Sequence, residues 1–231
     1  MAEIIKMAPR SLHEQVSTRL RDMLLEGSIP PGAKLNEREL SEQLGVSRTP
    51  LREAIRQLAA EGLIDMLPHR GAVAVKLTEE DVRHTFEVLA GLEGLSGELA
   101  AQRVSDAELA ELRALHYEMR ACHVRGDLAG YYRLNMQIHH GLNSAAKNPV
   151  LATTYRAVNA RLQSLRFRTN QEPAKWAAAV QEHDDMIRAL EARDGTWLKA
   201  LLVGHLERKR DTVLEMMRSG TLAPAVGNNK D

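Results

Sequence analysis

One cysteine among 231 residues, four tyrosines, two phenylalanines, two tryptophans and no surplus of charge of either sign are what this chain has little of. With Cys122 alone, an internal disulfide and a thiolate metal cluster are both excluded, and a reducing, cytoplasmic setting is expected. Aromatics make up 3% of the chain, too few for a stacking platform that grips single strands regardless of sequence, so duplex DNA is the better nucleic-acid candidate. Thirty-one Lys and Arg balance 31 Asp and Glu, so no bulk field draws the chain to a polyanion. A reader of DNA nevertheless needs only one basic face. No apolar run approaches membrane-spanning length, and the stretch before Pro9 is short and mixed in polarity, which predicts neither insertion nor secretion.

What is present divides in two. Residues 9–77 read as mixed helix and strand, residues 78–219 read as helix throughout, and the tail 220–231, with its Gly, Ala, Pro and Asn, is expected to be disordered. In the first part Leu12, Val16, Leu20, Met23 and Leu24 recur at helical spacing until Gly27 and the Pro30-Pro31-Gly32 turn. Asn36 can cap a second short helix carrying Leu40 and Leu44, which Gly45 ends. Ser47 can cap a third, with Leu51, Ala54, Ile55 and Leu58 on its inner side. Leu63 to Met66 and Ala72 to Val75, around Pro68-His69-Arg70-Gly71, predict a two-stranded ribbon with glycine at its tip.

Arg48, Arg52 and Arg56, four apart, share the free face of the third helix. The preceding helix and tight turn give the form in which a second helix enters the major groove with its N-terminal residues leading. Those residues are Arg48, Thr49 and Pro50. Arginine offers a rigid fork for guanine O6 and N7 or for a phosphate, and threonine offers a hydroxyl and a methyl. His69, Arg70 and Gly71 suit the neighbouring minor groove. The bland alternative is an ordinary solvated arginine face, since surface charge is common. The coincidence of turn, helix and wing in chain order argues against it. Residues 1–76 hold 11 basic and 10 acidic residues, so one copy would bind weakly, and two copies on a palindromic operator are expected.

The run from Leu35 to Leu40, that from Leu44 to Arg56, then Leu58, Glu61-Gly62-Leu63 and Arg70-Gly71, resembles the N-terminal winged helix-turn-helix of GntR-type bacterial transcriptional regulators. The resemblance implies operator contacts from Arg38, Arg48, Thr49 and Arg52, with Gly71 at the wing tip.

In the second part, polar residues sit on apolar faces. Asn135 and His139 lie one turn apart among Leu128, Tyr131, Ile138 and Leu142; His183 is in line with Trp176, Val180, Ile187 and Leu190; His205 is in line with Leu198, Leu201 and Leu202. About a turn centred on Asp194, His183 and His205 stand at equal heights, roughly 16 Å from the turn. Packed antiparallel helices would let their rings converge. Three imidazoles and an amide oxygen can hold a borderline divalent ion with coordination to spare; separately hydrogen-bonded core histidines are the alternative.

Residues 79–218 resemble the all-helical effector-binding FCD domain of the FadR-like branch of those regulators. The resemblance places the metal ligands on Asn135, His139, His183 after Glu182, and His205, with zinc first and nickel or manganese behind it. Two positions depart from the pattern. Asn135 stands where aspartate is usual, and Leu89 stands where many members carry an arginine that would clamp a carboxylate. Tyr155, Asn159 and Arg166 on an adjacent helix are the replacement effector contacts.

The expected fold is a winged helix-turn-helix, with three helices and a β-hairpin, followed by an all-α antiparallel bundle. The expected function is a homodimeric repressor that is not an enzyme, binds double-stranded DNA, and is modulated by a small carboxylate or sugar acid near a metal. A metal-dependent hydrolase or lyase is the rival reading, with Glu182 as its base. It is disfavoured because Glu182 is rotated away from His183 and no other acid pair is evident.

Overall fold

The computed structural model describes residues 12–69, 71–166 and 173–221, so residues 9–11, Arg70 and the tail beyond Thr221 lie outside the described residues. The chain forms two compact units, Met1–Lys76 and Leu77–Asp231.

The first unit carries α1 (Leu12–Glu26), α2 (Glu37–Leu44), α3 (Arg48–Ala60), β1 (Ile64–Leu67) and β2 (Gly71–Ala74). Asn36 caps α2 by accepting a hydrogen bond from the Arg38 N–H, and Gly45 takes the left-handed conformation that ends it. Ser47 occupies the N-cap position of α3 in extended backbone, but its side chain makes no capping bond. The apolar periodicity becomes a core of Val16, Leu20, Met23, Leu40, Leu51, Ile55 and Leu58, closed by Ile64, Ala72 and Ala74. Removal of each large side chain from water contributes about 1.5–3 kcal/mol. Outside the core, Ser17 donates to Gln57 across 2.9 Å, and Arg21 grips both carboxylate oxygens of Glu61, which ties α1 to α3. β1 and β2 pair antiparallel from Ile64 opposite Ala74 to Leu67 opposite Gly71.

The second unit is helical among the described residues: α4 (Glu79–Arg103), α5 (Asp106–Arg125), α6 (Leu128–Ala145), α7 (Pro149–Arg166), α8 (Pro173–Glu191) and α9 (Gly195–Arg218). Capping boxes at Thr78 with Asp81 and Ser105 with Glu108 start α4 and α5, and Asp127 and Asp194 cap α6 and α9. The longest helices, α4 and α9, approach closely where α4 carries Gly94 and Gly97. A Cβ on Gly97 would lie 2.5 Å from Leu202 Cδ1, so a larger residue there would make the Leu202 and Leu198 side chains shift. One apolar cluster gathers Leu112, Met119, Tyr131, Ile138, Met186, Leu190 and Leu198, and a second gathers Phe86, Leu89, Tyr155, Leu162, Leu206 and Val213. The winged helix-turn-helix and the helical bundle predicted from the sequence are therefore the observed architecture. No helix among the described residues is long and apolar enough to cross a membrane.

Candidate functional site

In the first unit the packing of Leu51, Ala54, Ile55 and Leu58 turns the opposite face of α3 outward, leaving Arg48, Thr49, Arg52 and Arg56 exposed. Arg52 Nε donates to Glu37 Oε2 over 2.7 Å, Arg38 Nε to Glu42 Oε1 over 3.1 Å, and Arg56 to Glu53 over 2.9 Å. These pairs are open to solvent and hold by at most about 1 kcal/mol each, so a phosphate or base edge can replace the carboxylate. At the hairpin tip His69 is exposed with a left-handed φ of 62°, and Gly71 has φ 76° with open space where a Cβ would stand. Arg70, expected between them at the tip, lies outside the described residues.

In the second unit the helices bring three imidazoles together. The ring centres of His183 and His205 are 5.1 Å apart, those of His139 and His183 5.4 Å, and those of His139 and His205 5.6 Å. One nitrogen from each ring lies within 4.8 Å of the others, and all three residues are buried. Each ring is held from behind. His183 Nδ1 donates to the Ala179 carbonyl one turn earlier, over 2.8 Å, which leaves Nε2 as the nitrogen turned away from its own helix. His205 Nδ1 donates to Glu182 Oε2 over 2.5 Å, and Arg208 Nε donates to the other oxygen of that carboxylate. His139 Nδ1 lies 2.9 Å from Glu93 Oε2, close enough for an ion pair but not aligned as a hydrogen bond. Backing by carboxylate or carbonyl fixes tautomer and ring orientation, as it does for metal-ligating histidines.

His183 Nε2 is buried and has no hydrogen-bond partner. An orphaned buried nitrogen costs stability unless something fills its lone pair. Burial, then the neighbouring His205 and His139, push the His183 pKa well below its ordinary value. Its neutral form, the one that ligates metals, is therefore favoured. Asn135 is buried one turn before His139 on α6. Tyr155 and Asn159 are buried one turn apart on α7, Tyr155 within the second apolar cluster with its ring 6.0 Å from that of His140. Arg166 ends α7, and its side chain lies outside the described residues.

Known proteins agree with this division. Residues 12–73 match the family described as bacterial regulatory proteins, gntR family, and residues 84–208 match the FCD domain. A probable D-xylose utilization operon transcriptional repressor of Paenarthrobacter nicotinovorans is 31% identical over 83% of this chain and 85% of its own length. The chain belongs to the GntR family. An HTH-type transcriptional repressor of Escherichia coli, RspR, is 25% identical over 91% of this chain and 92% of its own length. The structure of E. coli McbR/YncC superposes with a TM-score of 0.78 at 22% identity, covering 91% of this chain and all of that one, and this shows the shared fold. As a GntR-family protein with an FCD domain, the chain is a DNA-binding regulator with an effector-binding helical domain and not an enzyme.

Sequence reading gave two residues of this GntR-family protein no part in holding the histidines. Glu93 falls on the buried stripe of α4 with Phe86, Leu89, Ala90, Gly97 and Ala100, so a carboxylate at that position was a legible signal. Glu182 was set aside because it is rotated away from His183. It reaches instead across to His205 on α9, a contact between helices that spacing within α8 does not disclose.

Proposed function

We propose that the protein is a repressor of the FadR-like branch whose hold on a palindromic operator is governed by a small carboxylate or sugar acid bound beside a divalent metal. In this reading residues 9–77 read DNA and residues 78–219 sense the acid and pair two copies. Arg38, Arg48, Thr49 and Arg52 meet the major groove, and His69, Arg70 and Gly71 meet the minor groove. His139, His183 and His205 hold the metal, with Asn135 offering an amide oxygen. Zinc suits this donor set best, and nickel or manganese are the alternatives. When bound, such an ion acts as a Lewis acid toward a carboxylate oxygen. The amide at position 135 brings no charge, which leaves an anionic ligand to complete the balance. On α7 we assign Tyr155, Asn159 and Arg166 to the effector.

The observation that carries the metal limb is the orphaned His183 Nε2 facing two more imidazoles whose rings are backed by carboxylates. Buried His116 also keeps an orphaned ring nitrogen, so what sets this cluster apart is the gathering of three ring nitrogens within 4.8 Å of one another. Regulation needs a coupling free energy between the two sites, and an acid that favours one arrangement of the paired reading units over another supplies it.

Operator selection followed by a carboxylate screen for DNA release tests the reading. Zinc uptake and release by at least one small acid are expected. A protein that takes up neither zinc, nickel nor manganese sinks the metal limb, and DNA binding unaffected by every acid sinks the effector limb.

A further inference from the structure

Two more orphaned polar atoms lie along the helices that carry His139 and His183. Tyr131 is fully buried, and its hydroxyl has no hydrogen-bond partner; the indole N–H of Trp176, buried on a half-buried residue, has none either. Their rings meet edge to face at 5.4 Å. Tyr131 and His139 are both on α6, eight residues apart, and Trp176 and His183 are both on α8, seven apart. Because Tyr131 meets Trp176 where His139 meets His183, α6 and α8 run in the same direction and face each other through their side chains. The two meeting points are roughly 10–12 Å apart along the helices. Midway on α6 stands Asn135, one turn from each end, and the corresponding stretch of α8 offers Ala179 and Val180. The seam thus has three imidazoles at one end, two neutral donors at the other and an amide between.

Resting on the metal and carboxylate reading above, we infer that this seam is the bed of the effector's tail. The carboxylate lies at the histidine end, and a neutral oxygen at the far end of a chain of about six carbons accepts hydrogen bonds from Tyr131 Oη and Trp176 Nε1. The Asn135 amide has both faces of the task, an acceptor oxygen for the metal and an N–H for an oxygen of the ligand. The far group is an acceptor because the indole N–H can only donate. It is neutral because both donors are uncharged and Tyr131 is buried, so a second carboxylate would surrender its hydration there with only the His123 imidazole, 4.9 Å from the Trp176 ring, beside it. Aspartate at position 135 would repel an acid lying along the seam; asparagine does not.

The test compares three six-carbon acids on the full-length, zinc-loaded protein by calorimetry: hexanoate, 6-hydroxyhexanoate and adipate. The hydroxy acid is expected to bind about 10-fold more tightly than hexanoate, from one or two hydrogen bonds made in a dry site, and more tightly than adipate. In Tyr131→Phe and Trp176→Phe that advantage falls toward unity while hexanoate affinity and zinc uptake stay unchanged. The unloaded Tyr131→Phe protein melts no lower than the wild type, because the hydroxyl it loses had no partner. Equal affinities for hexanoate and the hydroxy acid in the wild type overturn the inference, as does an advantage that survives both substitutions. If adipate binds tightest, the neutral end is wrong. If zinc is bound but none of the three acids binds, the carboxylate reading beneath fails and takes this inference with it.

Discussion

The two units are built by opposite means. In the reading unit, order comes from local signals: the Asn36 cap, the left-handed Gly45, the two-stranded hairpin. Its candidate DNA-contacting side chains are outward and solvated, Arg38 paired with exposed Glu42 and Arg52 with half-buried Glu37. In the helical unit the three imidazoles are buried; two are backed from other helices, Glu93 of α4 to His139 of α6 and Glu182 of α8 to His205 of α9, and His183 by the Ala179 carbonyl of its own helix. The first is a surface whose ion pairs, in the proposed reading, exchange for DNA. The second is a buried polar network, where each unsatisfied atom is costly and a ligand is therefore tightly coupled to structure.

The sharpest way to break this contrast is inside the bundle. His183→Ala should lower zinc affinity by at least about 100-fold, more than the loss typical of residues that only support a ligand. Equilibrium dialysis would show this, and DNA affinity without zinc should hardly change. The core of the reading unit offers the reciprocal case. Leu51 is fully buried, so Leu51→Ala should cost about 2–5 kcal/mol of that unit's stability and abolish DNA binding, with zinc uptake intact by the same dialysis.

How much of this was legible in the sequence follows the same division. The helices and wing of the first unit were written in caps and glycines that act on near neighbours. Ser47 is the exception: it takes the cap position without the cap bond, because local preference does not fix a side-chain rotamer. In the second unit, equal spacing about Asp194 foreshadowed the approach of His183 and His205, since a hairpin is a local object. That α6 faces α8 in the same direction was not legible, because α7 intervenes in the chain and only packing decides which faces meet. The partners of Glu93 and Glu182 were hidden for the same reason, although the place of Glu93 on the buried stripe of α4 was legible.

Smaller effects sharpen the comparison. Arg52→Ala, on the exposed face, should weaken operator binding by about 1–3 kcal/mol and relax specificity at one position while leaving the melting temperature nearly unchanged, as a competition assay at fixed salt would show. In the bundle, Ser105→Ala removes the capping hydroxyl of α5 and should cost about 1 kcal/mol by calorimetry. The other half of that cap has a pH signature. The hydrogen bonds of Glu108 with Lys147 first, then with Ser105, hold its pKa down to about 2. Its folded value lies below the unfolded one, so the contribution is complete above the ordinary glutamate range, near 4.3, and fades as pH falls toward 2. A carboxyl NMR titration that places Glu108 in the ordinary range would contradict the cap.

The measurement nearest the central claim is operator affinity of the zinc-loaded protein, with and without the acid that calorimetry ranks tightest, in wild type and in His183→Ala. The expected result is weakening of roughly 5- to 150-fold by the acid in the wild type and no response in the variant. An equal response in both would place the sensing site elsewhere and contradict the account.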